Sequence, residues 1–375
     1  MTNPLFIVFS IIQVFVFLCI SLLLLSSVNS FEYTKNYSQY IPTKNSVQLN
    51  DPPLNNITFI QPTYYNDKIN VLKFNYNGPC KETFKYRAHN KRDLFISAVG
   101  FTNDGYWLQN KHDILLSYGL VNSSIPNATL IMLIMPGTTN KDFINETRNF
   151  GFEVVEGDLS NVKNVEKCHP ATQRFIAFKN YIEKYREQYD RVLIADHRDV
   201  FVFADIFQTF SAEDLVFMPE CGLNNQTCVY FDEKHVYQWM NESYGSLITE
   251  QFKANGSINM NVGVTFGGTE RVLRYLNILV DNFNPKKWHL WGHDQSVLNS
   301  IFYSLYYKRE NYTFERCTQR SCFFDESIQY DKKNKILIDP LTKCSPVLRH
   351  KVNFIPNKTH IVYNEVVSIF LDHNN

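Results

Sequence analysis

The sequence predicts an α/β fold in which a mixed, mostly parallel sheet is flanked by helices, with a transmembrane helix in front of this domain. Between residues 93 and 195, short apolar segments alternate with segments that favour helices. Strands that are apolar along their whole length are typical of a parallel sheet covered by helices. The second observation is an uncharged run of 21 residues near the N-terminus, since about 20 apolar residues cross a bilayer as a helix.

The composition excludes two broad classes. The 375 residues include 37 basic and 37 acidic side chains, so the formal net charge is zero. A general nucleic-acid binder carries a basic excess, and we therefore expect no nucleic-acid partner. Because 44% of the residues are hydrophobic and 15% aromatic, the chain can bury a large core and is not intrinsically disordered.

The N-terminal run extends from Leu5 to Leu25 and defines a first segment, residues 1–30. A cleaved signal peptide has an apolar run of about 7–15 residues, so the length favours an uncleaved signal-anchor. Cleavage before Phe31 stays open, because Val28 and Ser30 provide the small residues of a cleavage site. A buried core helix is disfavoured because the run has no polar face.

Glycosylation signals suggest which side of the membrane the rest of the chain occupies. Ten Asn-x-Ser/Thr sequons follow the apolar run, a modest excess for an Asn-rich chain. They favour a luminal or extracellular location for everything after residue 30. The sequons begin at Asn36, Asn56, Asn122, Asn127, Asn145, Asn225, Asn241, Asn255, Asn311 and Asn357.

Cysteine usage agrees with an oxidising compartment. Cys19 lies in the apolar run, and the seven other cysteines are Cys80, Cys168, Cys221, Cys228, Cys317, Cys322 and Cys344. We expect a Cys221–Cys228 pair and a second pair among Cys317, Cys322 and Cys344. Seven is odd, so one thiol is free or bonds another chain. The spacings do not match a zinc site.

The remaining chain divides into a lead-in and one large domain. Residues 31–90 are rich in Asn, Pro, Tyr and Thr without a sustained period, which predicts a stem. Residues 91–375 form the predicted domain. Its strands are predicted at residues 93–100, 128–135, 152–155 and 191–195, and its first helices at 106–119 and 172–189. Glycine-rich phosphate loops of the common types are absent from the sequence.

The strongest chemical signal follows the strand at residues 191–195. Asp196 and Asp199 stand three positions apart where that strand ends. Ligands of open α/β sheets bind at the carboxyl ends of strands, and Mg²⁺ or Mn²⁺ favours carboxylate oxygens. The position therefore favours a metal site. The alternative is a turn cap at Asp196 with Asp199 paired to Arg198 or Arg191.

Two further segments carry polar groups before predicted helices. Asn261 and Gly263 lie in the first, where an amide could bind sugar hydroxyls and a glycine allows close approach; taken alone, a turn with glycine bends is the better interpretation. Asp294 and Gln295 lie in the second, where Asp294 is either a helix cap or a reaction-centre carboxylate. The nearby Trp288 and Trp291 could stack on a sugar or simply pack.

In this order and spacing the three segments resemble the GT-A-type glycosyltransferases, a family of nucleotide-diphospho-sugar transferases. The resemblance rests on Val192-Leu-Ile-Ala-Asp-His-Arg-Asp199, on Asn261-Val-Gly263 with Gly267-Gly268, and on Asp294-Gln295 to Leu298-Asn299. It covers roughly residues 91–305 and implies a GT-A-like, Rossmann-type sheet. An anchor followed by a stem is also the layout of Golgi transferases.

The resemblance implies a role for each matched residue. Asp196 and Asp199 would hold Mn²⁺, or Mg²⁺, against the nucleotide diphosphate, although the spacing is DxxD rather than DxD. A late histidine completes the metal shell in related families, and His360 is the candidate. Asn261 and Gly263 match positions near the donor sugar or the acceptor.

Four further residues complete the predicted site. Asp294 and Gln295 match the pair near the transferred sugar, and we assign them catalytic roles. Arg174, on the helix before the metal-binding strand, would face the pyrophosphate; a solvated helix charge is the alternative. Trp291 is the candidate for sugar binding.

The resemblance implies metal-dependent transfer of a hexosyl or pentosyl group from a UDP-sugar to a glycan, glycoprotein or glycolipid. It favours retention of configuration; the alternative is an inverting enzyme, which needs a carboxylate base on the acceptor hydroxyl. The expected location is the Golgi or endoplasmic reticulum membrane, as a single-pass type II protein with a luminal catalytic domain; the alternative is secretion. The alternative function is a non-catalytic glycan- or protein-binding glycoprotein with a degenerate GT-A fold. A glycoside hydrolase would also use two carboxylates, without a metal.

Overall fold

The computed structural model describes residues 78–100, 104–138, 140–160, 162–222, 228–307, 313–314, 320–323, 329–331, 333, 336–339 and 343–351. The predicted signal-anchor, most of the predicted stem and His360 lie outside these residues. The anchor and the domain limits at residues 30 and 90 therefore stay predictions. Across the described part of the chain, the helices are too short or too polar for a membrane span.

The described residues form seven α-helices and twelve strands. The helices are α1 Asp104–Ser124, α2 Lys141–Asn149, α3 Pro170–Tyr185, α4 Lys234–Tyr244, α5 Ser246–Ala254, α6 Thr269–Asp281 and α7 His293–Ile301. The strands are β1 Asp93–Val99, β2 Thr129–Ile134, β3 Glu153–Glu156, β4 Arg191–Ala195, β5 Val200–Val202, β6 Leu215–Pro219, β7 Met260–Gly268, β8 Thr313–Phe314, β9 Ser321–Phe323, β10 Gln329–Asp331, β11 Ile336–Ile338 and β12 Leu348–His350.

The central sheet has seven strands in the order β3-β2-β1-β4-β7-β6-β8. The pairs β3–β2, β2–β1, β1–β4 and β6–β8 are parallel, whereas β7 is antiparallel to both neighbours. Helices α3 and α6 pack against each other and against this sheet. The prediction of an α/β fold with a mixed, mostly parallel sheet flanked by helices is confirmed.

The predicted elements of the first half are confirmed with small shifts of their ends. Strands β1 to β4 coincide with the four predicted apolar segments. Helix α3 begins two residues before the predicted start, because Pro170 fits the first turn and His169 Nδ1 accepts a hydrogen bond from the Ala171 N–H at 3.1 Å. Residues 186–188 form a 3₁₀ turn instead of extending the helix.

The interpretation of residues 259–268 as a turn with glycine bends is wrong, because Met260–Gly268 form strand β7. Its glycines serve close backbone approach. A Cβ at Gly268 would lie 1.7 Å from the Ala212 carbonyl oxygen, and one at Gly267 would lie 2.2 Å from that of Asp214. Glycine is required at these two positions because no larger residue fits beside the backbone of residues 212–214.

A buried ion-pair network joins the start of β1 to the start of β4. Arg191 donates from Nε and Nη2 to the Asp93 carboxylate at 2.8 and 2.9 Å, and both side chains are fully buried. Arg87 adds a further pair to Asp93, at 2.6 Å. Arg191 is therefore paired with Asp93, and the alternative in which Asp199 pairs with Arg191 is wrong.

The sequence made no structural prediction for residues 306–375, and the structure shows that part of this segment pairs with a strand from the first part of the domain. Strand β12 lies between β5, to which it is antiparallel, and β9, to which it is parallel. A disulfide between Cys80 and Cys344 joins the residues just before β12 to the beginning of the described domain. This small sheet therefore places β12 directly beside the segment that carries Asp196 and Asp199.

The predicted Cys221–Cys228 disulfide is confirmed. Cys344 pairs with Cys80 rather than with Cys317 or Cys322. Cys322 is also disulfide-bonded, and Cys317 lies outside the described residues. Cys168 is a buried free thiol, in agreement with the odd number of cysteines.

Cys168 is expected to resist alkylation in the folded protein. Burial, together with the nearby Asp294, raises the pKa of the Cys168 thiol to about 12. At pH 8 the thiolate fraction is then on the order of 10⁻⁴, compared with about one quarter for an ordinary thiol. Labelling with iodoacetamide at pH 8, followed by mass spectrometry, should be at least roughly a thousandfold slower in the native protein than in guanidinium. Equal rates in the two states would contradict this burial.

Candidate active site

A cavity of about 510 Å³ opens beside the carboxyl end of β4. Side chains that follow β4 and β6 line it, together with residues from β7, the first turns of α3 and α7, and helix α4. The predicted site residues that line it are Arg174, Asp196, Asn261, Gly263, Trp291, Asp294 and Gln295. Six segments distant in the sequence thus converge at the edge of the sheet where α/β proteins bind ligands.

Asp196, Asp199 and His350 form a group that could hold a metal ion. One ligand atom from each lies within 4.8 Å of the other two. His350 Nε2 lies 3.3 Å from an Asp199 oxygen and 3.6 Å from an Asp196 oxygen. Two carboxylates and one imidazole are suitable ligands for Mn²⁺. The geometry places both predicted aspartates together, and the histidine beside them is His350.

Two observations test whether this group fits a metal ion. Both ring nitrogens of the fully buried His350 lack a hydrogen-bond partner within the described structure, although Nε2 faces two carboxylates. A Cβ at Gly263 would lie 2.4 Å from Asp196 Oδ2 and 2.7 Å from His350 Cε1. An unsatisfied buried imidazole and a cradle that excludes even a methyl group are consistent with a cation between these side chains.

The chain fixes the two aspartates through the backbone. The Asp196 N–H donates to the Gly263 carbonyl at 2.8 Å, and the Lys351 N–H donates to the Asp199 carbonyl at 2.8 Å. Burial disfavours the charged form of Asp199, but His350 and Arg198 outweigh this effect and hold the pKa of the carboxyl well below its ordinary value. Asp199 is therefore an anion at neutral pH.

Helix α1 anchors the loop between the two aspartates. Arg198 Nη1 donates to Asn110 Oδ1 at 3.0 Å, and its other terminal nitrogen lies 3.6 Å from Asp199. The Tyr106 hydroxyl lies 3.2 Å from His197 Nε2, and burial lowers the pKa of His197 to about 4. The Asp199–Arg198 ion pair of the alternative interpretation is thus present, in addition to the group formed by Asp196, Asp199 and His350. His197 is neutral.

Arg174 joins the aspartate group to Asp294. Its Nη1 donates to Asp196 Oδ1, and its Nη2 lies 3.7 Å from Asp294 Oδ2. The side chain is largely buried, so the interpretation as a solvated helix charge is wrong. A guanidinium in this position faces the cavity with one fixed positive charge.

Asp294 is not the cap of α7. The cap is Gly292 in a left-handed conformation, and Asp294 lies in the first helical turn. Burial raises the pKa of the Asp294 carboxyl, and Arg174 partly opposes this shift. A buried carboxylate opposite one arginine is a typical functional-site arrangement.

Aromatic side chains form one wall of the cavity. Trp291 is 59% exposed and lies edge-on to His169, with ring centroids 5.1 Å apart. Trp239, on α4, packs against the backbone of Gly292, where a Cβ would lie 2.4 Å from the indole. Trp288 is buried and packs, which resolves the choice left open for that residue.

Sequence reasoning missed three residues of this cavity region: His350, Glu220 and Trp239. Glu220 follows the buried strand β6 directly, which is the same signal that identified Asp196 after β4. His350 carries only a weak signal, an apolar Pro-Val-Leu run before Arg-His. His360, the predicted metal ligand, lies outside the described residues, and its role stays a prediction.

Replacing His350 by alanine is expected to weaken Mn²⁺ binding by at least about 100-fold, because changes merely in the residues behind metal ligands already cost 10- to 100-fold. Calorimetric titration of the full chain with Mn²⁺ measures the change, with circular dichroism as a check on folding. His360→Ala is the matched comparison. If His360→Ala binds Mn²⁺ more weakly and His350→Ala binds it normally, then His360 and not His350 is the metal ligand.

No protein-family model matches the sequence, and no curated protein matches it. Among solved structures, the chain is similar to the apo-form glycosyltransferase GlyE of Streptococcus pneumoniae TIGR4, with 13% identity, a TM-score of 0.40 and coverage of 76% of this chain and 63% of GlyE. It is also similar to mouse xyloside xylosyltransferase 1 in its apo form, with 14% identity, a TM-score of 0.39 and coverage of 69% and 97%. The chain thus spans less than two thirds of GlyE. Likeness at this level defines neither an activity nor a substrate for this chain.

Proposed function

We propose that this chain is a metal-dependent glycosyltransferase that moves a sugar from a nucleotide-diphosphate sugar to a glycan, glycoprotein or glycolipid, with UDP as the nucleotide. The observation that carries the proposal is the convergence of Asp196, Asp199 and His350 with Arg174 at the edge of one cavity. A diphosphate is a ligand that both a carboxylate-held divalent cation and a guanidinium bind well.

The residues suit a ligand with a charged end and a neutral end. Asp196 and Arg174 line one part of the cavity, with Asp199 and His350 beside Asp196, whereas Trp239 and Trp291 belong to its aromatic wall. The volume of about 510 Å³ is within the range of about 300–1,000 Å³ that is usual for small-molecule sites. The aromatic rings provide stacking surface for the apolar face of a sugar.

Departure of the nucleotide diphosphate is the step that the charged residues would assist. A cation held by Asp196, Asp199 and His350 would neutralise the charge that builds up on the diphosphate, and Mn²⁺ is the proposed ion, with Mg²⁺ as the alternative. Arg174 would donate to the same phosphate oxygens from a fixed position. Its present partners, Asp196 and Asp294, hold the guanidinium in the cavity.

The reacting sugar develops positive charge as the leaving group departs. Asp294 would stabilise this charge, because its carboxylate faces the cavity and is buried away from screening water. A carboxylate in the cavity suits a retaining and an inverting reaction alike, and we propose retention from the sequence resemblance alone. The proposed location is the lumen of the Golgi or endoplasmic reticulum with a type II membrane anchor, or the exterior after secretion.

The test is nucleotide release by the purified full chain. We expect UDP release with Mn²⁺ and at least one of UDP-glucose, UDP-galactose, UDP-xylose and UDP-N-acetylglucosamine, and its loss on adding EDTA. Release that persists in EDTA would contradict metal dependence. Binding of UDP with Mn²⁺ but no release with any donor or glycan acceptor would instead support the non-catalytic binding protein.

A further inference from the structure

Glu220 is a buried carboxylate that accepts hydrogen bonds from three side-chain amides. It is 7% exposed and follows β6. Its Oε1 accepts from Asn261 Nδ2 at 3.0 Å and from Gln295 Nε2 at 3.1 Å, and its Oε2 accepts from Asn259 Nδ2 at 2.7 Å. None of the described Arg, Lys or His side chains forms an ion pair with it. Three neutral donors therefore satisfy the charge of Glu220.

The main chain around Glu220 is held on both sides. Its N–H donates to the Asn259 carbonyl at 2.8 Å, and its carbonyl accepts from the Val229 N–H at 2.8 Å. The Cys221–Cys228 disulfide begins at the next residue. The carboxylate thus has a fixed position at the cavity, which it lines.

An ionised carboxylate accepts hydrogen bonds and donates none, so it determines how each neighbouring amide is turned. The NH₂ group of each amide faces Glu220, and the oxygen faces away. Asn259 Oδ1 accepts from Asn299 at 2.9 Å, and Asn261 Oδ1 accepts from the Gly263 N–H at 2.9 Å. Gln295 Oε1 accepts no hydrogen bond from the described residues, and Gln295 lines the cavity.

We infer that Glu220 is a positioning and specificity-determining residue: it holds the Gln295 amide so that Oε1 accepts a hydrogen bond from one hydroxyl group of the donor sugar. The inference rests on the proposed function. The donor sugar, rather than the acceptor, is the partner, because Gln295 follows Asp294, which Arg174 connects to the aspartates that would hold the diphosphate. The donor sugar is attached directly to that diphosphate, and the measurement with UDP alone separates its hydroxyl groups from those of the ribose.

The orientation of Asn261 extends the effect of Glu220 toward the metal group. Gly263 receives the Asn261 oxygen at its N–H, and the Gly263 carbonyl accepts from the Asp196 N–H. Glu220→Gln replaces one acceptor oxygen by an NH₂ group, which sets two donors against each other. In either orientation the new amide opposes at least one donor and has no negative charge to hold the others, so the fixed presentation of Gln295 Oε1 is loosened.

The experiment measures how each protein distinguishes a donor from its deoxy forms. Calorimetry with Mn²⁺ gives the Kd of the full chain for UDP, for the tightest-binding of UDP-glucose, UDP-galactose and UDP-xylose, and for the 2-, 3- and 4-deoxy forms of that donor. For the wild type, we expect one deoxy form to bind about 10- to 100-fold more weakly, because Gln295 Oε1 loses its only partner. In Glu220→Gln the ratio of the Kd for this deoxy form to the Kd for the intact donor should fall to about threefold or less, while the Kd for UDP changes less than threefold.

Two further variants separate positioning from folding. Gln295→Met removes the oxygen but leaves Glu220 with two amide donors. In this variant the ratio of the two Kd values should also fall to about threefold or less. Asp205→Asn is the control for the loss of a buried carboxylate outside the cavity. Asp205 accepts from the backbone N–H groups of His89 at 2.9 Å and Phe207 at 3.1 Å and from Gln208 Nε2 at 3.1 Å, and it also lies 2.9 Å from His89 Nδ1. The substitution should lower the melting temperature and keep the ratio.

The outcomes distinguish this inference from the proposed function. If Glu220→Gln folds and still binds the deoxy donor 10- to 100-fold more weakly than the intact donor, the role of Glu220 is overturned and the transferase proposal stays intact. If Glu220→Gln does not fold, the same result in Gln295→Met overturns that role. Equal Kd values for all deoxy forms in the wild type would also overturn it. Failure of the wild type to bind UDP with Mn²⁺ would remove the proposed function, and the inference with it.

Discussion

Asp199→Asn is expected to lower Mn²⁺-dependent nucleotide release on the order of a thousandfold. The substitution removes a full negative charge from the group with Asp196 and His350 and replaces one ligand oxygen by an NH₂ group. A bound cation contributes several kcal/mol to charge stabilisation in such reactions, and each 1.4 kcal/mol changes the rate about tenfold. UDP release from the active donor, measured over a range of Mn²⁺ concentrations, gives both the rate and the metal affinity.

Asp214→Asn is the control for this experiment. Asp214 accepts from the Ser211 N–H at 2.7 Å in a turn outside the cavity, so its replacement should change stability but not metal dependence. Activity of Asp199→Asn within about threefold of wild type at saturating Mn²⁺ would show that the cation is not held as proposed.

Arg174→Met is expected to lower turnover by about 100- to 1,000-fold and to lower the melting temperature. The guanidinium lies between Asp196 and Asp294, and its loss leaves two carboxylates facing each other in a largely buried site. Breaking a buried ion pair by removing one partner costs about 3–5 kcal/mol, and the loss of one preorganised donor lowers kcat by about 10²–10³.

Arg174→Lys and Arg186→Met refine this result. Lysine keeps the charge but not the two-sided donation of the guanidinium, so only partial recovery is expected. Arg186 lies just after the same helix and pairs with Glu270 at the surface, where such pairs contribute little. A loss of turnover in Arg186→Met equal to that in Arg174→Met would show that the effect is a general property of the helix.

The sequence was sufficient for the features that depend on one continuous segment. Apolar strands followed by polar residues identified β4 and the aspartates after it, and the amphipathic spacing of residues 172–189 identified the helix that carries Arg174. These signals are local, because a buried strand must be apolar along its length and its carboxyl end is where a polar ligand can be reached.

Features that depend on contacts between distant segments could not be predicted in this way. His350 reaches the aspartates only because β12 pairs with β5, and nothing in the local sequence states that pairing. The glycines of β7 suggested a turn, whereas they allow close approach of a neighbouring chain segment. Glu220 depends on amides from two other elements, and its single position after β6 was too weak a signal alone.

The pairing of β12 with β5 also has a consequence for biosynthesis. Asp196 and Asp199 leave the ribosome about 150 residues before His350, at a synthesis rate of about 5–20 residues per second. For about 8 to 30 seconds, a nascent chain therefore presents the two carboxylates without the imidazole that lies beside them in the finished fold. Any fragment that stops before residue 350 lacks one member of the group, whatever the state of the rest of the domain. Completion of the candidate metal site is thus a late event in the synthesis of this protein.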